Sequence, residues 1–398
     1  MSKLKQNLPA GWEIKKLGEV CKLIGGGTPS KKNEKFYTGN IYWATVRDMK
    51  VDIITDTELK ITNEAVLKSS TNIIPKGNVI IATRVGLGKV CFIENDTAIN
   101  QDLKGVIPKN QKQLSVEFLF RWFKRISNKI IDEGTGATVQ GVKLSFINSL
   151  EIPLPPLPEQ QRIVAILDKA FAAIDKAKAN AEQNLKNAKE LFESYLQGVF
   201  KNKGDEWEEK TLGEVAFVKS GGTPSRAKKE YWEGDIAWYS SGELNDLFTI
   251  APKRHINELA INNSNAKIFP KGSLLIGMYD TAALKMSIID REATFNQAIA
   301  GVKPNDKIDL IFVLHSINSI KPDILNLRRG VRQKNLNLSK IKNIPISLPT
   351  IFEQQTIVKK LDSLSVKKNR LEAIYQKKIN NLDELKKSIL QKAFEGEL

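Results

Sequence analysis

The chain repeats itself at an offset of 195 residues. WEIKKLGEV at 12–20 recurs as WEEKTLGEV at 207–215, GGTPS at 26–30 recurs at 221–225, and YTGNIYW at 37–43 matches WEGDIAW at 232–238. Farther on, IPKGNVII (74–81) matches FPKGSLLI (269–276), and after one inserted residue Asn100-Gln101 and Gly105-Val106 match Asn296-Gln297 and Gly301-Val302. A period of this length means that one small fold is built twice. The agreeing positions are those of a scaffold, whereas the stretches between them, such as 47–72 against 242–267, do not agree. The two halves read as one fold carrying two different surfaces.

Each copy closes on a segment of another character. Prolines at 153, 155, 156 and 158 fix an extended approach, and from Glu159 there is no Pro or Gly until Gly198. Apolar residues at Ile163, Leu167, Ala170, Ile174, Ala177, Ala181, Ala188, Leu191 and Tyr195 alternate by fours and threes, broken at Asn184, as in the seam of a coiled coil. At 1.5 Å per residue a helix over 159–200 is roughly 60 Å long, and so narrow a seam asks for a partner of similar length. The chain contains one. At an offset of 194, Glu353-Gln354-Gln355 repeats Glu159-Gln160-Gln161, and Ile357, Leu361, Leu364, Leu371, Tyr375, Leu382, Leu385 and Ile389 repeat the seam, with Lys368 and Lys378 weakening it. Helix pairing is assigned to Ile163, Leu167, Ile174 and Leu191 on one rod and to Ile357, Leu361, Leu371 and Leu385 on the other.

In the remainder of each copy, Val79–Ala82 and Leu274–Ile276 read as strands and Val116–Ile131 as a helix. The expected fold is α+β: two similar mixed α/β globules separated by two long antiparallel coiled-coil helices in a pseudo-twofold tandem repeat. The boundaries are 1–158 for the first globule, 159–206 for the first rod with its polar linker KNKGDE, 207–352 for the second globule and 353–398 for the second rod. The last segment, QKAFEGEL, would stand to the N-terminus as LQGVF stands to KNKGDEW, which implies a nearly circular arrangement.

Charge narrows the function. Lys and Arg exceed Asp and Glu by 61 − 45 = 16, which points to a polyanionic partner. The excess is uneven: 23 basic against 14 acidic residues in 1–150 and 9 against 3 in 301–350, but 6 against 7 in 151–200. Cys21 and Cys91 are the only cysteines, so no disulfide framework exists and a reducing cytoplasm is the expected location. No apolar run approaches the ~20 residues that cross a bilayer, and a soluble protein without a membrane partner is expected.

An enzyme is a poor reading. His255 and His315 are the only histidines, so no metal site can be built twice. Gly25-Gly26-Gly27-Thr28-Pro29-Ser30-Lys31 lacks the phosphate-loop pattern and reads either as a structural turn or as a phosphate-contacting loop. Glu58-Leu59-Lys60 has no second acid to complete a nuclease site. Binding is the stronger reading. Arg84 and Lys89, followed by Asn100-Gln101, fall in a region whose counterpart holds Tyr279, Lys285 and Asn296-Gln297. Arg suits guanine, and Asn or Gln suits adenine. Asn100 and Asn296 agree between copies, so the alternative is a turn in which they bond backbone. Arg328, Arg329, Arg332 and Lys334 form a cluster where the first copy has Gly134-Thr135-Gly136-Ala137-Thr138, read either as solvated charge or as phosphate contacts.

LGEV with GGTPS opening each globule, the two Asn-Gln pairs, and IPLPPLPEQQRIVAILD and IPISLPTIFEQQTIVKKLD closing them resemble the specificity subunit of a type I restriction-modification system, over essentially the full length. The second copy departs by having Thr350-Ile351-Phe352 where the first has Pro156-Leu157-Pro158, which implies a less stiff start to the second rod. The resemblance implies two target-recognition domains alternating with two helical regions, and a chain that reads a bipartite asymmetric duplex DNA target. It also implies two methyltransferase subunits and translocating restriction subunits as partners, which would hold S-adenosylmethionine, ATP and magnesium; this chain would bind no cofactor. The rivals are a coiled-coil interaction protein and a fused methyltransferase-nuclease remnant.

Overall fold

The computed structural model describes residues 8–134, 141–326 and 336–398, with Asp280 described by its backbone alone. Two compact units emerge, Met1–Ala181 with Lys377–Leu398, and Glu182–Gln376. Each combines a globule with part of both long helices, so the divisions fall within the rods and not at their ends. Among the described residues no helix is long and apolar enough to cross a membrane.

The first unit is organised on strands β1 (Cys21–Gly25), β2 (Ile41–Ala44), β3 (Val79–Ala82), β4 (Val90–Ile93), β5 (Thr97–Ile99) and β6 (Leu103–Pro108). One sheet runs in the order β1, β6, β3, β4 and Ile53–Ile54. Its central β3 is apolar at all four positions and wholly buried, as a strand covered on both faces requires. A second sheet sets Leu59–Ile61, β2, β5 and Asn72–Ile74 side by side, with β2 and β5 parallel in the register Trp43↔Ala98. Helix α1 (Val116–Arg125) is capped by Ser115, whose hydroxyl accepts from the Phe118 N–H at 3.1 Å, and it buries Phe118, Leu119, Trp122 and Phe123. The helix expected over 116–131 breaks at Ile126 and resumes at Ser127–Glu133. There the Ser127 hydroxyl turns aside to donate to the Gly88 carbonyl at 2.9 Å. Helix α2 (Leu157–Lys201) starts two residues ahead of the expected boundary and takes Pro158 into its first turn, where a missing N–H costs nothing.

The second unit repeats this plan with β7 (Val218–Ser220), β8 (Ile236–Tyr239), β9 (Leu274–Gly277), β10 (Met286–Ile288), β11 (Ala293–Phe295) and β12 (Ile299–Val302). Its main sheet runs β7, β12, β9, β10, and the smaller one sets Arg254–Ile256, β8 and β11 together, with β8 and β11 parallel in the register Trp238↔Thr294. Helices α3 (Leu310–Asn326) and α4 (Ile351–Glu395) follow.

The Glu-Gln-Gln motif explains how each rod is fixed to its globule. Gln160 is fully buried; its amide oxygen accepts from the Ser115 N–H at 2.9 Å and its amide nitrogen donates to the carbonyls of Gln113 and Pro155, both at 2.8 Å. Gln354 does the same, accepting from the Asp309 N–H and donating to the carbonyls of Lys307 and Pro349. A buried amide so placed satisfies backbone groups that no strand reaches.

Within each unit the two long helices run antiparallel. In the first, Lys178 meets Asp383 and Lys386 meets Asp175, both at 2.7 Å, and Ile163, Leu167, Phe171 and Ile174 join α1 and Phe394 in one core. The Phe118 and Phe394 rings lie 4.8 Å apart. In the second, Leu196, Phe200, Phe312, Val358 and Leu361 form a core that Ile357 flanks. Leu191, Leu371 and Leu385 correct the expected seam: they are 73%, 41% and 46% exposed. Phe192, Glu372 and Lys386, one residue on, are half-buried instead. A helix of 3.6 residues per turn drifts by about 20° per heptad against a 3.5 repeat, and the contact line moves over by one residue. The same shift exposes Lys378 beside buried Ile379 and lays Lys368 over the Phe192 ring at 5.2 Å, a contact rather than a weakness.

Candidate nucleic-acid interface

The Gly-Gly-Thr-Pro-Ser and Asn-Gln motifs, about 70 residues apart in each copy, meet in space. The Gly27 N–H donates to the Ile99 carbonyl at 3.0 Å and the Gly222 N–H to that of Phe295 at 2.9 Å. The indoles of Trp43 and Trp238 donate to the carbonyls of Gly27 and Gly222. A Cβ on Gly26 would fall 2.2 Å from the Ile99 carbonyl oxygen, and one on Gly221 2.1 Å from that of Phe295. These amides serve the packing of the loop on a strand, so the loop is a structural turn. The Thr28 hydroxyl then donates to the Gln101 side-chain oxygen, and Thr223 to Gln297.

A second shared device begins the divergent stretch. The Asp48 carboxylate accepts from the Thr45 N–H at 2.7 Å and from the Thr45 hydroxyl at 3.0 Å, and its other oxygen accepts from the Glu58 N–H at 2.8 Å. Glu243 repeats this with the Ser240 N–H, the Ser240 hydroxyl and the Lys253 N–H, at 2.8, 2.7 and 3.0 Å. Burial works against the Glu243 charge, but the Ser240 and Lys253 hydrogen bonds outweigh it and hold the carboxyl below its ordinary range. The clamp pins both ends of a loop in each copy. Comparing residue identity misses it because Thr-x-x-Asp has become Ser-x-x-Glu; comparing residue class would have found it.

A cleft of about 660 Å³ opens beside the first clamp, lined among others by Lys31, Tyr37, Arg47, Glu58, Val85 and Gln101. Arg47 is 79% exposed at its side chain and 3.7 Å from Glu58. Arg84 borders the cleft through Asp102, 3.9 Å from its Nε. Burial, with Arg84 nearby, pushes Lys104 below the ordinary lysine value, while Asp102 opposes. Lys89 is exposed at the end of the same loop. Asn100 is 7% exposed, donates from its side-chain nitrogen to Asp102 and accepts from the Asp102 N–H at 3.1 Å, which closes a turn on the wall of the cleft. Asn296 likewise accepts from the Ala298 N–H at 3.1 Å.

In the second unit Gln297 lines a shallow cleft of about 620 Å³ with Lys219 and Lys267. Tyr279 instead leans on the apolar core beside β9, because its loop folds inward through Leu284, a fully buried residue at φ 55°. Lys285 donates to the Asn245 side chain at 2.8 Å. Arg328, Arg329, Arg332 and Lys334 lie outside the described residues. Burial pushes the Cys21 and Cys91 thiols up to about 12, which leaves both protonated and inert. Among the described residues no three His, Cys, Asp or Glu side chains gather to hold a metal ion.

Comparison with known proteins places this geometry. Residues 9–186 and 204–381 each match the model of a type I restriction modification DNA specificity domain. The type I restriction enzyme MjaIX specificity subunit of Methanocaldococcus jannaschii is 27% identical over 425 residues, covering 98% of this chain and 94% of the relative. The EcoR124I/EcoR124II specificity subunit of Escherichia coli is 33% identical over 233 residues, covering 56% of this chain and 57% of the relative. A chain from work on complex assembly and conformational transition of the type I R-M system aligns with a TM-score of 0.82 at 22% identity, over 98% of this chain and 99% of the other. The HsdS subunit from Thermoanaerobacter tengcongensis aligns at 0.64 and 21% identity over the whole of both chains. At these identities the structural likeness concerns the fold.

Proposed function

The chain belongs to the type I restriction-modification DNA specificity family, and from that membership we propose that each globule reads one half of a split, asymmetric duplex target. It is the non-catalytic specificity subunit of such a system and assembles with restriction-modification partners and with DNA. In this reading two methyltransferase subunits dock on the rods and globules and translocating restriction subunits join them. S-adenosylmethionine, ATP and magnesium are held by those partners, and the complex works in the cytoplasm.

The observation that supports independent reading is the clamp. Two loops are held by the same carboxylate geometry yet present unlike groups at matched positions: Arg47 against Gly242, and Glu58 against Lys253. Base edges are distinguished by donor and acceptor pattern, so unlike side chains on one scaffold read unlike sequences. The test is an exchange of the first globule, up to Pro156, for that of a relative, with methylation mapped in the presence of a cognate methyltransferase subunit. One half of the recognised sequence is expected to change and the other to stay. Change in both halves, or in neither, contradicts the proposal.

A further inference from the structure

The second globule carries a cleft of about 610 Å³ lined by Arg226, Lys229, Trp232, Lys253, Arg254 and His255, with Glu233 the one carboxylate on its walls. The four Arg and Lys side chains are exposed, and among the described residues none of the four has a carboxylate partner within 4.0 Å. The walls are stiff. Arg254 lies over the Trp232 ring at 5.7 Å, and Trp232 is held edge-on to Trp238 at 5.0 Å with its indole N–H on the Ser225 carbonyl at 3.2 Å. The Lys253 backbone is held where its N–H donates to the Glu243 clamp, and Arg254 is paired in register with Trp238 of β8.

At the positions 195 residues earlier the first globule has Lys31, Glu34, Tyr37, Glu58, Leu59 and Lys60. Two cations there are matched in number by two acids, and Lys60 is already engaged by Asp56 at 3.2 Å and by the Tyr42 ring at 4.7 Å. Four like charges around one hollow repel each other and favour an anion between them. The cleft walls offer no Asn or Gln for adenine, while exposed Arg and Lys on a rigid platform are the groups that hold phosphodiester oxygens.

We propose that this cleft is a phosphate clamp for duplex DNA that belongs to the second globule and has no counterpart at the matching positions of the first. The proposal rests on the DNA-reading function above. The clamp sets affinity and register and carries no sequence information.

The test uses the full chain and a random-sequence duplex of about 30 base pairs, titrated by fluorescence anisotropy between about 50 and 200 mM salt. Each phosphate contact contributes about 0.9 to the slope of log affinity against log salt, so R226Q/K229Q/K253Q/R254Q is expected to flatten it by about 3.6. The charge-conserving R226K/K229R/K253R/R254K is expected to keep it, which a folding defect would not. K31Q/K60Q is expected to change it by less than about 1. An unchanged slope in the glutamine variant, or an equal loss in the charge-conserving one, overturns the clamp. So does a glutamine variant that keeps its slope but fails to assemble with the methyltransferase subunit, which would assign the cleft to an acidic protein surface. Methylation without sequence preference by that subunit in complex with the wild-type chain would defeat the DNA-reading proposal as well. Retained preference with an unchanged slope defeats the clamp alone.

Discussion

At the scale of single residues, His315 shows what the second copy has given up. It is 9% exposed, and its Nε2 has no hydrogen-bond partner among the described residues. Burial pushes its pKa below the ordinary 6.5, with Asp362 and Asp309 opposing. Because the folded value is the lower one, the unfolded chain takes up the proton first as pH falls. The stability contribution is complete above about 6.5 and declines as pH drops toward the folded value. With Ser115 matched to Asp309 through the two buried glutamines, the corresponding residue of the first copy is Arg121, whose guanidinium pairs with Asp168 at 2.5 Å. Because its Nε2 is buried without a partner, His315→Phe is expected to stabilise the second unit by about 1 kcal/mol and to remove part of its acid lability. Hydrogen exchange of the α3 amides at several pH values checks this, and an unaltered acid limb in the variant would contradict it. Glu243 behaves in the opposite chemical class but with the same sign. Its carboxyl is held low in the folded state, so its contribution is present above the unfolded value near 4.5 and is lost as pH falls through the folded one.

At the scale of elements, burial separates residues that spacing alone treated alike. Leu167 and Leu361 are fully buried, so an Asp at either is expected to cost about 3–5 kcal/mol, whereas Leu191→Asp or Leu385→Asp should stay within about 0.5. Thermal melts by circular dichroism separate the two groups; equal melting of all four variants would show that burial does not govern the seam. Gln160→Ala and Gln354→Ala each strip hydrogen bonds from buried backbone groups and are expected to cost about 2–3 kcal/mol. The existence of both helices was legible because Pro-rich approaches and unbroken spacing are local signals. The exact contact line was not, because a one-residue drift changes no local preference and is decided by what packs from the other helix. The turns closed by Asn100 and Asn296 were legible as an alternative to base contact, since the two residues agree between copies. That Tyr279 leans on the core was not legible, since an offset aligns backbones without saying which way a side chain turns.

At the scale of the molecule, one continuous helix carries the chain from the first unit to the second. Seven helix-forming residues inserted after Ala181, and seven more after Gln376, keep the seam in phase and add about 10 Å. At ~3.4 Å per base pair this predicts unchanged half-sequences separated by a spacer about three base pairs longer. Methylation mapping decides it, and an altered half-sequence over an unaltered spacer would deny the helices any part in setting distance. The repeat itself was plain in the sequence; the clamp that gives it a purpose was hidden by an Asp that became a Glu. That clamp has a consequence for heredity. It holds the ends of a loop whose Lys50, Val51, Ile53 and Thr55, or Asn245, Leu247, Phe248 and Ile250, stand in solvent and contribute little to the core. Substitutions there cost the fold little, so under the proposed division of labour a lineage exchanges the recognition sequence of one half of its target while inheriting the other half, and the fold, intact.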